Sequence, residues 1–386
     1  MICIYANILL IYQIFEHILI KLKNNSINKY YYLFIELINP NMFAEYEHMP
    51  NLHNIKEYYE DPESPSHVDP STIFIALEKI HGTNFSFISD GKTVTSAKRG
   101  SSLGTTGTFM NSGYIVQMYK DDVAQLFPEL IKKYPTMKSF QLYGELFGGK
   151  YNGETEKGSK SIQKGVNYCP RNDFMAYDLR IITDHNIVKE EDNTNNFFLD
   201  FSEIDDIIKR LSLKIKLVPF ITRGTFSEMI ALNPVFETRV SSVYGLEPLP
   251  NNFAEGYVIK AEDEHKNPRI MFKHKNPSYL EVAVKEKVSH EKTVSYQGLC
   301  LEEMKRYITD NRFDNVYSKF SEKSIAELDA NEISQLELLM YGDIIVDFKD
   351  DHTDPEDLTC NEPNIVRNER PLKGIIKGFV KKCIAK

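Results

Sequence analysis

The stretch that decides the fold is IFIALEKIHGTN, residues 73–84. Ile73, Ile75 and Leu77 occupy alternate positions, which is the spacing of one face of a β-strand. Polar residues follow the apolar run without a gap. The pattern therefore predicts a strand that ends at a group of reactive side chains around Lys79.

Strand patterns continue downstream of this stretch. Residues 85–88 and 93–97 flank Asp90-Gly91, a dipeptide typical of hairpin turns in which both turn positions need positive φ. Further strand-like runs are present at 139–147, 174–182, 256–261 and 269–274. The middle of the chain therefore predicts an antiparallel sheet.

Helical patterns are sparse in this body and dominate after about residue 290. Within the body we predict helices at 120–133 and 226–232, the second opened by a capping box of Thr225 and Glu228. Ser324 and Glu327 form another capping box, after which apolar residues recur at helical spacing (Ile333, Leu336, Leu339, Met340). The predicted fold class is α+β, an antiparallel-sheet body followed by a small all-helical C-terminal domain.

The composition is that of an ordinary globular protein. Of the 386 residues, 42% are hydrophobic and 26% are charged, and the formal net charge is −9. This balance excludes a protein held to nucleic acid mainly by bulk positive charge. Five scattered cysteines without a CxxC pair favour a reducing compartment, so we expect a cytoplasmic protein. Frequent Asn, Ile and Lys are typical of AT-rich genomes, including viral ones acting in a host cytoplasm.

The N-terminal segment differs from the rest of the chain. Residues 2–20 are apolar enough to suggest a membrane anchor, but Glu16 and His17 interrupt the run and no signal-peptide cleavage pattern follows. An additional packed helix is a second interpretation. A dispensable leader before Met42 or Met49 is the third, and we favour it. We accordingly expect no stable membrane partner.

The chain is thus predicted to have three parts, a leader at 1–44, a sheet-based body at 45–288 and a helical domain at 289–386. The helical part contains an acidic stretch, from Asp343 to Glu362, and a tail with seven basic residues (Arg367, Arg370, Lys373, Lys377, Lys381, Lys382, Lys386). Charge runs of this kind usually form solvated surface. The basic tail is also a candidate contact for nucleic acid.

One phosphate-binding pattern is misleading. Gly144, followed after four residues by Gly149-Lys150, matches most of a P-loop. Tyr151 stands where the loop needs Ser or Thr to hold magnesium, and the residues after it do not favour a helix. We therefore reject a P-loop at this position.

Lys79 becomes informative because other polar motifs follow it in a fixed order. They are Lys98-Arg99, Tyr143-Gly144-Glu145, residues 173–178 (DFMAYD), residues 255–260 (EGYVIK) and Lys273-His274-Lys275. The set contains a lysine, carboxylates that can hold magnesium, cations that can neutralise phosphate and an aromatic ring that can cover a base. It points to attack of the Lys79 amine on the α-phosphorus of a nucleoside triphosphate, which gives a lysyl phosphoramidate.

The amine must be neutral to attack. Lys273 and Lys275 have the same parity, so both side chains can face one cleft if they lie on a strand. Positive neighbours favour the neutral form of an amine. We therefore expect these two cations to surround Lys79.

This order and spacing resemble the covalent nucleotidyltransferase superfamily of ATP-dependent ligases and capping enzymes. The run Lys79-x-His81-Gly82-x-Asn84 is similar to nick-sealing RNA ligases of the RNA ligase 2 type, as are residues 162–168 (IQKGVNY) and 273–281. DNA ligases and capping enzymes usually carry Asp before the glycine. The resemblance covers residues 45–285 well and the helical C-terminus loosely. It implies a nucleotidyltransferase domain with an ATP-grasp-like ligase adenylation fold.

The resemblance implies a catalytic role for six residues, Lys79, His81, Asn84, Arg99, Lys273 and Lys275. Lys79 would take AMP from ATP, and His81 and Asn84 would act when AMP passes to an RNA 5′-phosphate. Lys273 and Lys275 would stabilise the developing negative charge. Glu255 would hold a catalytic Mg²⁺ or Mn²⁺.

The resemblance also implies nine ATP-binding residues, Glu78, Lys79, Asn84, Arg99, Glu145, Tyr177, Lys260, Lys273 and Lys275. Tyr177 would stack on adenine beside Glu78, and Glu145 would bind the ribose. Arg99 would contact phosphate or sugar, and Lys260 would contact the triphosphate.

Plainer structural interpretations exist for several of these residues. Tyr177 lies in an apolar run and could belong to the core, and Glu255 or Lys260 could be a surface residue of a strand. Glu255 and Lys260 also have opposite parity, so both can face one site only with a bulge near Gly256 or with Lys260 at the strand end. His274 has the other parity from its lysine neighbours, and we expect it to pack away from the site.

The expected function is an ATP-dependent RNA ligase for nicked or broken RNA, either duplex or bridged. It would form lysyl-AMP, transfer AMP to the 5′ end and seal the strand, as a monomer. A DNA ligase or an mRNA-capping guanylyltransferase is the alternative within enzymes, although both usually append an OB-fold barrel where helices are predicted here. A catalytically silent RNA-binding relative is the alternative outside enzymes, but the lysine, the glutamates and the paired lysines are all present.

Overall fold

The computed structural model describes residues 43–61, 67–183, 196–262, 269–282, 296–321, 323–352 and 359–385. The apolar run at 2–20 lies outside the described residues, as does the predicted boundary at 288 and 289. Within the described ranges, no helix is both long enough and apolar enough to cross a membrane. The division into three parts stays a prediction.

The strands of the body are β1 (Ile73–Glu78), β2 (Thr83–Ser89), β3 (Val94–Lys98), β4 (Ser101–Gly104), β5 (Ser139–Lys150), β6 (Cys169–Ile182), β7 (Phe197–Phe198), β8 (Lys216–Leu217), β9 (Phe220–Thr225), β10 (Gly256–Ala261) and β11 (Met271–Lys275). They form two sheets, of order β11-β10-β1-β9 and β4-β3-β2-β5-β6-β7, with β8 beside β6. The strand pairs are antiparallel except that β8 runs parallel to β6. The predicted antiparallel body is confirmed, with one parallel pair that the sequence did not indicate.

The helices are α1 (Leu52–Glu60), α2 (Ser112–Lys133), α3 (Phe201–Arg210), α4 (Phe226–Ile230), α5 (Val240–Val243), α6 (Tyr296–Lys305), α7 (Asp310–Phe320), α8 (Ala330–Asp351) and α9 (Glu362–Ile384), with 3₁₀ turns at Pro277–Tyr279 and Ile325–Glu327. After residue 282 the described part of the chain has helices and no strand. The predicted α+β class with a helical C-terminus is therefore confirmed.

Two local predictions needed correction. The β2–β3 hairpin exists, but its loop is four residues long and, within residues 90–93, Gly91 alone has positive φ. The Asp90 carboxylate closes this loop by accepting hydrogen bonds from the backbone N–H groups of Lys92 and Thr93 at 2.9 and 2.7 Å. The hydrogen bonds to the Asp90 side chain therefore stabilise a four-residue loop, in which a second residue with positive φ is not needed.

The second correction concerns helix starts. The capping box of Thr225 and Glu228 opens α4 as predicted. The box of Ser324 and Glu327 opens a 3₁₀ turn, and α8 begins at another box, formed by Asp329 and Glu332.

The predicted rejection of a P-loop is confirmed by the backbone. Gly144, Gly149 and Lys150 all lie within β5, so this segment is an extended strand and not a phosphate-binding loop.

The core of the body lies on one face of the second sheet. Phe87 of β2 and Phe174 of β6 meet edge to face, with ring centroids 5.2 Å apart, and α2 and α3 cover them. A second buried cluster contains Leu77 of β1, Phe147 of β5 and Met175 of β6. This cluster joins the two sheets close to the end of β1, where Lys79 emerges.

The C-terminal helices have a core of their own. It is built from Leu336, Met340, Ile344 and Phe348 of α8 and from Leu372, Ile376 and Val380 of α9. Six of the seven residues of the predicted basic tail therefore lie on the polar face of a packed helix, because the apolar face of α9 is buried, and Lys386 lies outside the described residues. Leu339, expected in the core from its spacing, is 49% exposed and faces the cavity described below.

The backbone of Gly144 is packed so closely that a side chain does not fit there. A substitution at this position therefore tests the packing of the sheet-based body. A Cβ at this position would lie 2.3 Å from the Phe174 ring and 2.4 Å from the Met175 carbonyl oxygen. We expect Gly144→Ala to lower the free energy of unfolding by about 1–3 kcal/mol in urea denaturation, because overpacking forces neighbours apart. Gly100→Ala, which meets open space, is the control and should change it by less than about 0.5 kcal/mol. Equal stabilities of the two variants would contradict the packing at Gly144.

Candidate active site

A cavity of about 1070 Å³ opens between the two sheets, with α8 as an additional wall. All eleven residues predicted for the site line it. They are Glu78, Lys79, His81, Asn84, Arg99, Glu145, Tyr177, Glu255, Lys260, Lys273 and Lys275. Residues separated by almost 200 positions in the chain are thus brought to one place. The roles implied for them stay predictions.

Strand alternation explains much of this convergence. Lys273 and Lys275 lie on β11 and both line the cavity, as their shared parity predicted. His274, between them, lies near the ring of Tyr257, and burial lowers the pKa of this histidine. Its predicted position away from the site is confirmed.

Glu255 and Lys260 reach the same cavity without a bulge. Glu255 immediately precedes β10, and the ladder from Gly256 to Lys260 keeps an unbroken register with β11. Gly256 has a φ of 137°, and a Cβ there would lie 2.2 Å from the His274 carbonyl oxygen. This glycine-specific backbone turns Glu255 into the cavity and resolves the parity conflict.

Lys79 lies just after β1, at the floor of the cavity. Its backbone N–H donates to the Gly256 carbonyl oxygen at 2.9 Å, and its side chain is 23% exposed. The Nζ lies 2.7 Å from Glu255 Oε2. The nearest charged group is therefore a carboxylate, while Lys273 and Lys275 line the same cavity as expected, and Lys79 is close enough to Lys273 to contribute to the lowering of its pKa.

Glu255 is surrounded by nitrogen groups. Besides Lys79, it is approached by His81 Nδ1 and by Lys275 Nζ, each at 3.4 Å. Burial by itself raises the pKa of a carboxyl, but Lys79, Lys275 and His81 together hold the pKa of Glu255 well below its usual range. Glu255 is therefore an ionised carboxylate throughout the physiological pH range.

Alternating charges continue from Lys275 toward the helices. Lys275 Nζ lies 3.0 Å from Glu281 Oε1, and Glu281 lies 3.7 Å from Arg312 Nη1 of α7. Burial opposes ionisation of Glu281, but Lys275 and Arg312 lower its pKa to about 2. Lys79 is thus connected to the C-terminal helices by ion pairs.

Arg312 is fully buried and needs more than one partner. It pairs with Asp343 and with Asp347 of α8, the latter at 2.8 Å, and its Nε donates to the Tyr307 carbonyl oxygen at 3.0 Å. Asp343 and Asp347 belong to the acidic stretch that the sequence suggested would be solvated surface. For these two residues that interpretation is wrong.

Hydrogen bonds hold both Glu78 and Tyr177 at the cavity. Glu78 is buried and accepts hydrogen bonds from the Thr238 hydroxyl and from the Arg239 backbone N–H. Tyr177 lines the cavity, and its hydroxyl accepts a hydrogen bond from Asn84 Nδ2 at 2.5 Å. The ring of Tyr177 is therefore held in place while part of it remains accessible from the cavity.

Lys260 is more enclosed than its predicted role suggests. Its side chain is 2% exposed, and Nζ pairs with Asp178 and lies 3.2 Å from the Tyr177 carbonyl oxygen. Asp178 also accepts from Arg269 Nη2 at 3.0 Å. Contact of Lys260 with a triphosphate stays a prediction, because its ammonium already has a carboxylate partner.

Burial changes the pKa of several other groups around the cavity. It raises the pKa of Glu78 and of Glu145 to about 7. It also lowers the pKa of Lys273 to about 8, with Lys275 acting in the same direction. These groups therefore titrate near neutral pH when no substrate is bound.

Sequence reasoning assigned no role to four charged residues that contribute to this arrangement, Asp178, Glu281, Arg312 and Lys319. Asp178 directly follows Tyr177 in a recognised motif, and Glu281 ends the run 273–281, so a signal existed for both. Arg312 and Lys319 had none, because their position depends on how α7 packs against the body.

The carboxylates that line the cavity are candidate ligands for a divalent cation. Mg²⁺ is commonly bound by one or two carboxylates together with substrate phosphates. Glu255 fits, because its ionised carboxylate faces the cavity beside Lys79. Glu281, Asp343 and Asp347 also approach one another, but they surround Arg312 and not Lys79, the amine expected to react. Glu255 is therefore the residue that would hold the metal.

Comparisons with known proteins agree with this site. The RNA ligase family matches residues 72–275, more than half of the chain, and the T4 RNA ligase 2 C-terminal family matches residues 292–373. The mitochondrial RNA-editing ligase 1 of Trypanosoma brucei brucei is 29% identical over 214 residues, which cover 48% of this chain and 44% of that protein. This match thus spans less than half the length of that relative.

Two further similarities have wider coverage and lower identity. The mitochondrial RNA-editing ligase 2 of Trypanosoma brucei brucei strain 927/4 GUTat10.1 is 23% identical over 350 residues, 77% of this chain and 80% of that protein. A solved structure of Naegleria gruberi RNA ligase with PPi is 16% identical, with a TM-score of 0.40, over 63% of this chain and 58% of that chain.

The buried Glu78 gives a test by pH. Its pKa is about 7 in the folded chain and about 4.5 when exposed, so its stabilising contribution is present below pH 4.5 and is lost as pH rises through 7. Glu78→Gln stays neutral, and we expect the difference in unfolding free energy between variant and wild type to change by about 2–3 kcal/mol between pH 4.5 and 8. Denaturant titrations at several pH values measure it. The exposed Glu154→Gln serves as control, and a pH-independent difference for Glu78→Gln would refute the raised pKa.

Proposed function

The chain belongs to the RNA ligase family, of the RNA ligase 2 type, and from that premise we propose that it is an ATP-dependent RNA ligase. It would seal breaks between a 3′-hydroxyl and a 5′-phosphate in nicked or bridged RNA, as in RNA repair. The observation that carries the proposal is the convergence of all eleven motif residues on one cavity, with the Lys79 amine at its floor.

In the first step, Lys79 Nζ attacks the α-phosphorus of ATP. A P–N bond forms, the bond to the β-phosphate oxygen breaks and pyrophosphate leaves, while the amine gives up its proton to solvent. The chain contributes mainly by positioning and electrostatics. Tyr177 and Glu78 would receive adenine, Glu145 the ribose, and Lys273 and Lys275 the phosphates, since all five residues line the cavity.

Two further transfers would complete the reaction. An oxygen of the RNA 5′-phosphate attacks the AMP phosphorus, so that the P–N bond breaks and a pyrophosphate-linked RNA end forms. The 3′-hydroxyl then attacks the phosphorus of that 5′ end, forming the phosphodiester as AMP leaves and the hydroxyl proton is lost. His81 and Asn84, which border Lys79 and Tyr177, are proposed to act in these transfers.

Glu255 would hold Mg²⁺ or Mn²⁺ together with substrate phosphates. A cation bound there would neutralise charge that develops on the departing pyrophosphate. Until substrate arrives, Glu255 keeps the Lys79 and Lys275 ammonium groups beside the place where phosphate binds.

The helices after residue 282 support an RNA ligase over a capping enzyme or a DNA ligase, for which a β-barrel was expected. We propose that they contact RNA on either side of the break. The exposed cations of α9 are candidates for this contact, since phosphate binding by surface cations needs no fixed pocket.

Labelling with α-labelled ATP and a divalent cation tests the nucleophile. We expect wild-type protein to retain label after denaturing electrophoresis and Lys79→Ala to retain none, because Lys79 is the proposed nucleophile and the other lysines of the cavity are proposed to bind phosphate or are paired with carboxylates. Lys92→Ala, at an exposed loop position, should label as wild type does. Label retained by Lys79→Ala would falsify the assignment, and preferential labelling by GTP would favour capping.

Removal of the metal or of its proposed ligand tests Glu255. Chelation of divalent cations should abolish labelling, and Glu255→Ala should slow it by about 100-fold or more, the effect expected for a lost electrostatic contact at a reacting phosphate. The control is Glu262→Ala, which removes a carboxylate paired with Arg223 on the surface just beyond β10. Labelling that survives both chelation and Glu255→Ala would contradict the metal role.

A further inference from the structure

One face of α7 is directed toward the cavity. Arg312, Asn315 and Lys319 are spaced by three and four residues, so they lie on the same side of the helix. Asn315 Nδ2 donates to Glu281 Oε1 at 3.0 Å, and both Asn315 and Lys319 line the cavity. The C-terminal helices thus add a cation to a cavity whose other predicted cations come from the sheet-based body.

The position of this helix relative to the nucleophile is fixed by direct contacts. Gln163 Nε2 donates to the Gly82 carbonyl oxygen at 3.1 Å and to the Ser318 hydroxyl at 2.8 Å. One side chain therefore links the Lys79 motif to the residue before Lys319. Near the other end of α7, the buried ion pairs of Arg312 hold the helix against α8.

Lys319 differs from most lysines of the cavity in having no counter-ion. Lys79, Lys260 and Lys275 each pair with a carboxylate, whereas Lys319 forms no ion pair with any residue that the structure describes. Lys319 is an exposed residue of the cavity wall. An ammonium group there can form a charge-assisted hydrogen bond to an anionic ligand without first breaking an ion pair.

The cations without an ion pair lie in two different surroundings. Lys273 lies on β11 of the sheet-based body, and the charged group that acts most strongly on it is Lys275 of the same strand. Lys319 lies on α7 of the helical region, where Glu281 and Asp343 act on it most strongly and Arg99 and Glu145 act on it more weakly. The proposed reaction also brings two phosphate-bearing substrates, ATP and a 5′-phosphorylated RNA end.

We propose that Lys319 binds the 5′-phosphate of the RNA strand that receives AMP. This inference rests on the proposed function and makes Lys319 a catalytic residue supplied by the helical region. A phosphate monoester carries nearly two negative charges at neutral pH, so a second cation beside the exposed Arg99 matches its charge. Lys273 and Lys275 remain available for the triphosphate.

Binding of nicked RNA duplexes that differ only in a 5′-phosphate or a 5′-hydroxyl at the nick tests the proposal. We expect full-length wild-type protein to prefer the phosphate and Lys319→Ala to lose about 10- to 100-fold of that preference, the size of one charge-assisted hydrogen bond. Lys319→Arg should restore part of it. A lysine with a purely structural role would weaken binding of both duplexes alike.

Kinetic measurements then assign the step. In Lys319→Ala, adenylylation of Lys79 by ATP should stay within about twofold of wild type, whereas single-turnover AMP transfer from isolated lysyl-AMP protein to phosphorylated RNA should slow at least tenfold. Lys305→Ala, which removes an exposed pair with Glu302 in the same helical region, should match wild type in both steps.

Two results would overturn the proposal. In one, Lys319→Ala keeps the full preference for 5′-phosphate. In the other, its adenylylation by ATP falls as much as the transfer does, which would place Lys319 at the triphosphate instead. Absence of label on wild-type protein would count against the proposed function, but the binding comparison would still test Lys319.

Discussion

The structure depends on a buried chain of alternating charges. It runs from Lys79 through Glu255, Lys275 and Glu281 to Arg312. Removing one charge of such a chain leaves its neighbours unpaired in a medium of low dielectric, which is more harmful than losing a surface pair. Each charged side chain therefore constrains the position of the next. As a result, the position of the Lys79 amine depends on Arg312, more than 230 positions away in the sequence.

This series of ion pairs explains why α8 contains acidic residues that face the body. Asp343 and Asp347 neutralise the fully buried Arg312, and Arg312 in turn faces Glu281. The helical region is thus tied electrostatically to the catalytic cavity as well as having an apolar core of its own. Its attachment places Asn315 and Lys319 at the cavity wall, in addition to the lysines and the asparagine that the strands of the body supply.

Two carboxyl groups of the cavity, those of Glu255 and Glu78, differ in pKa although they lie in the same cavity. Near Lys79, cations keep Glu255 ionised. Glu78 accepts two hydrogen bonds, which lower its pKa. They do not offset the effect of burial, so the pKa of Glu78 remains raised to about 7. The difference follows from the number of nearby cations, since a carboxylate surrounded by ammonium groups ionises readily whereas one held by neutral donors does so less.

The sequence by itself determined seven of the eleven described strands, the motif around Lys79 and eleven of the residues that line the cavity, because strand periodicity and short motifs are local properties. It did not indicate β4, β7, β8 or β9. It also determined that helices follow the last lysine motif, and it placed Lys273 and Lys275 on one face of β11 by parity alone. Only the tertiary structure decided that a carboxylate would be the nearest partner of Lys79 and that Gly256 would turn Glu255 inward. It also decided that Arg312 and Lys319 belong to the site. Contacts of this kind depend on which elements pack together, and that pairing is set by the whole chain and leaves no pattern in neighbouring residues.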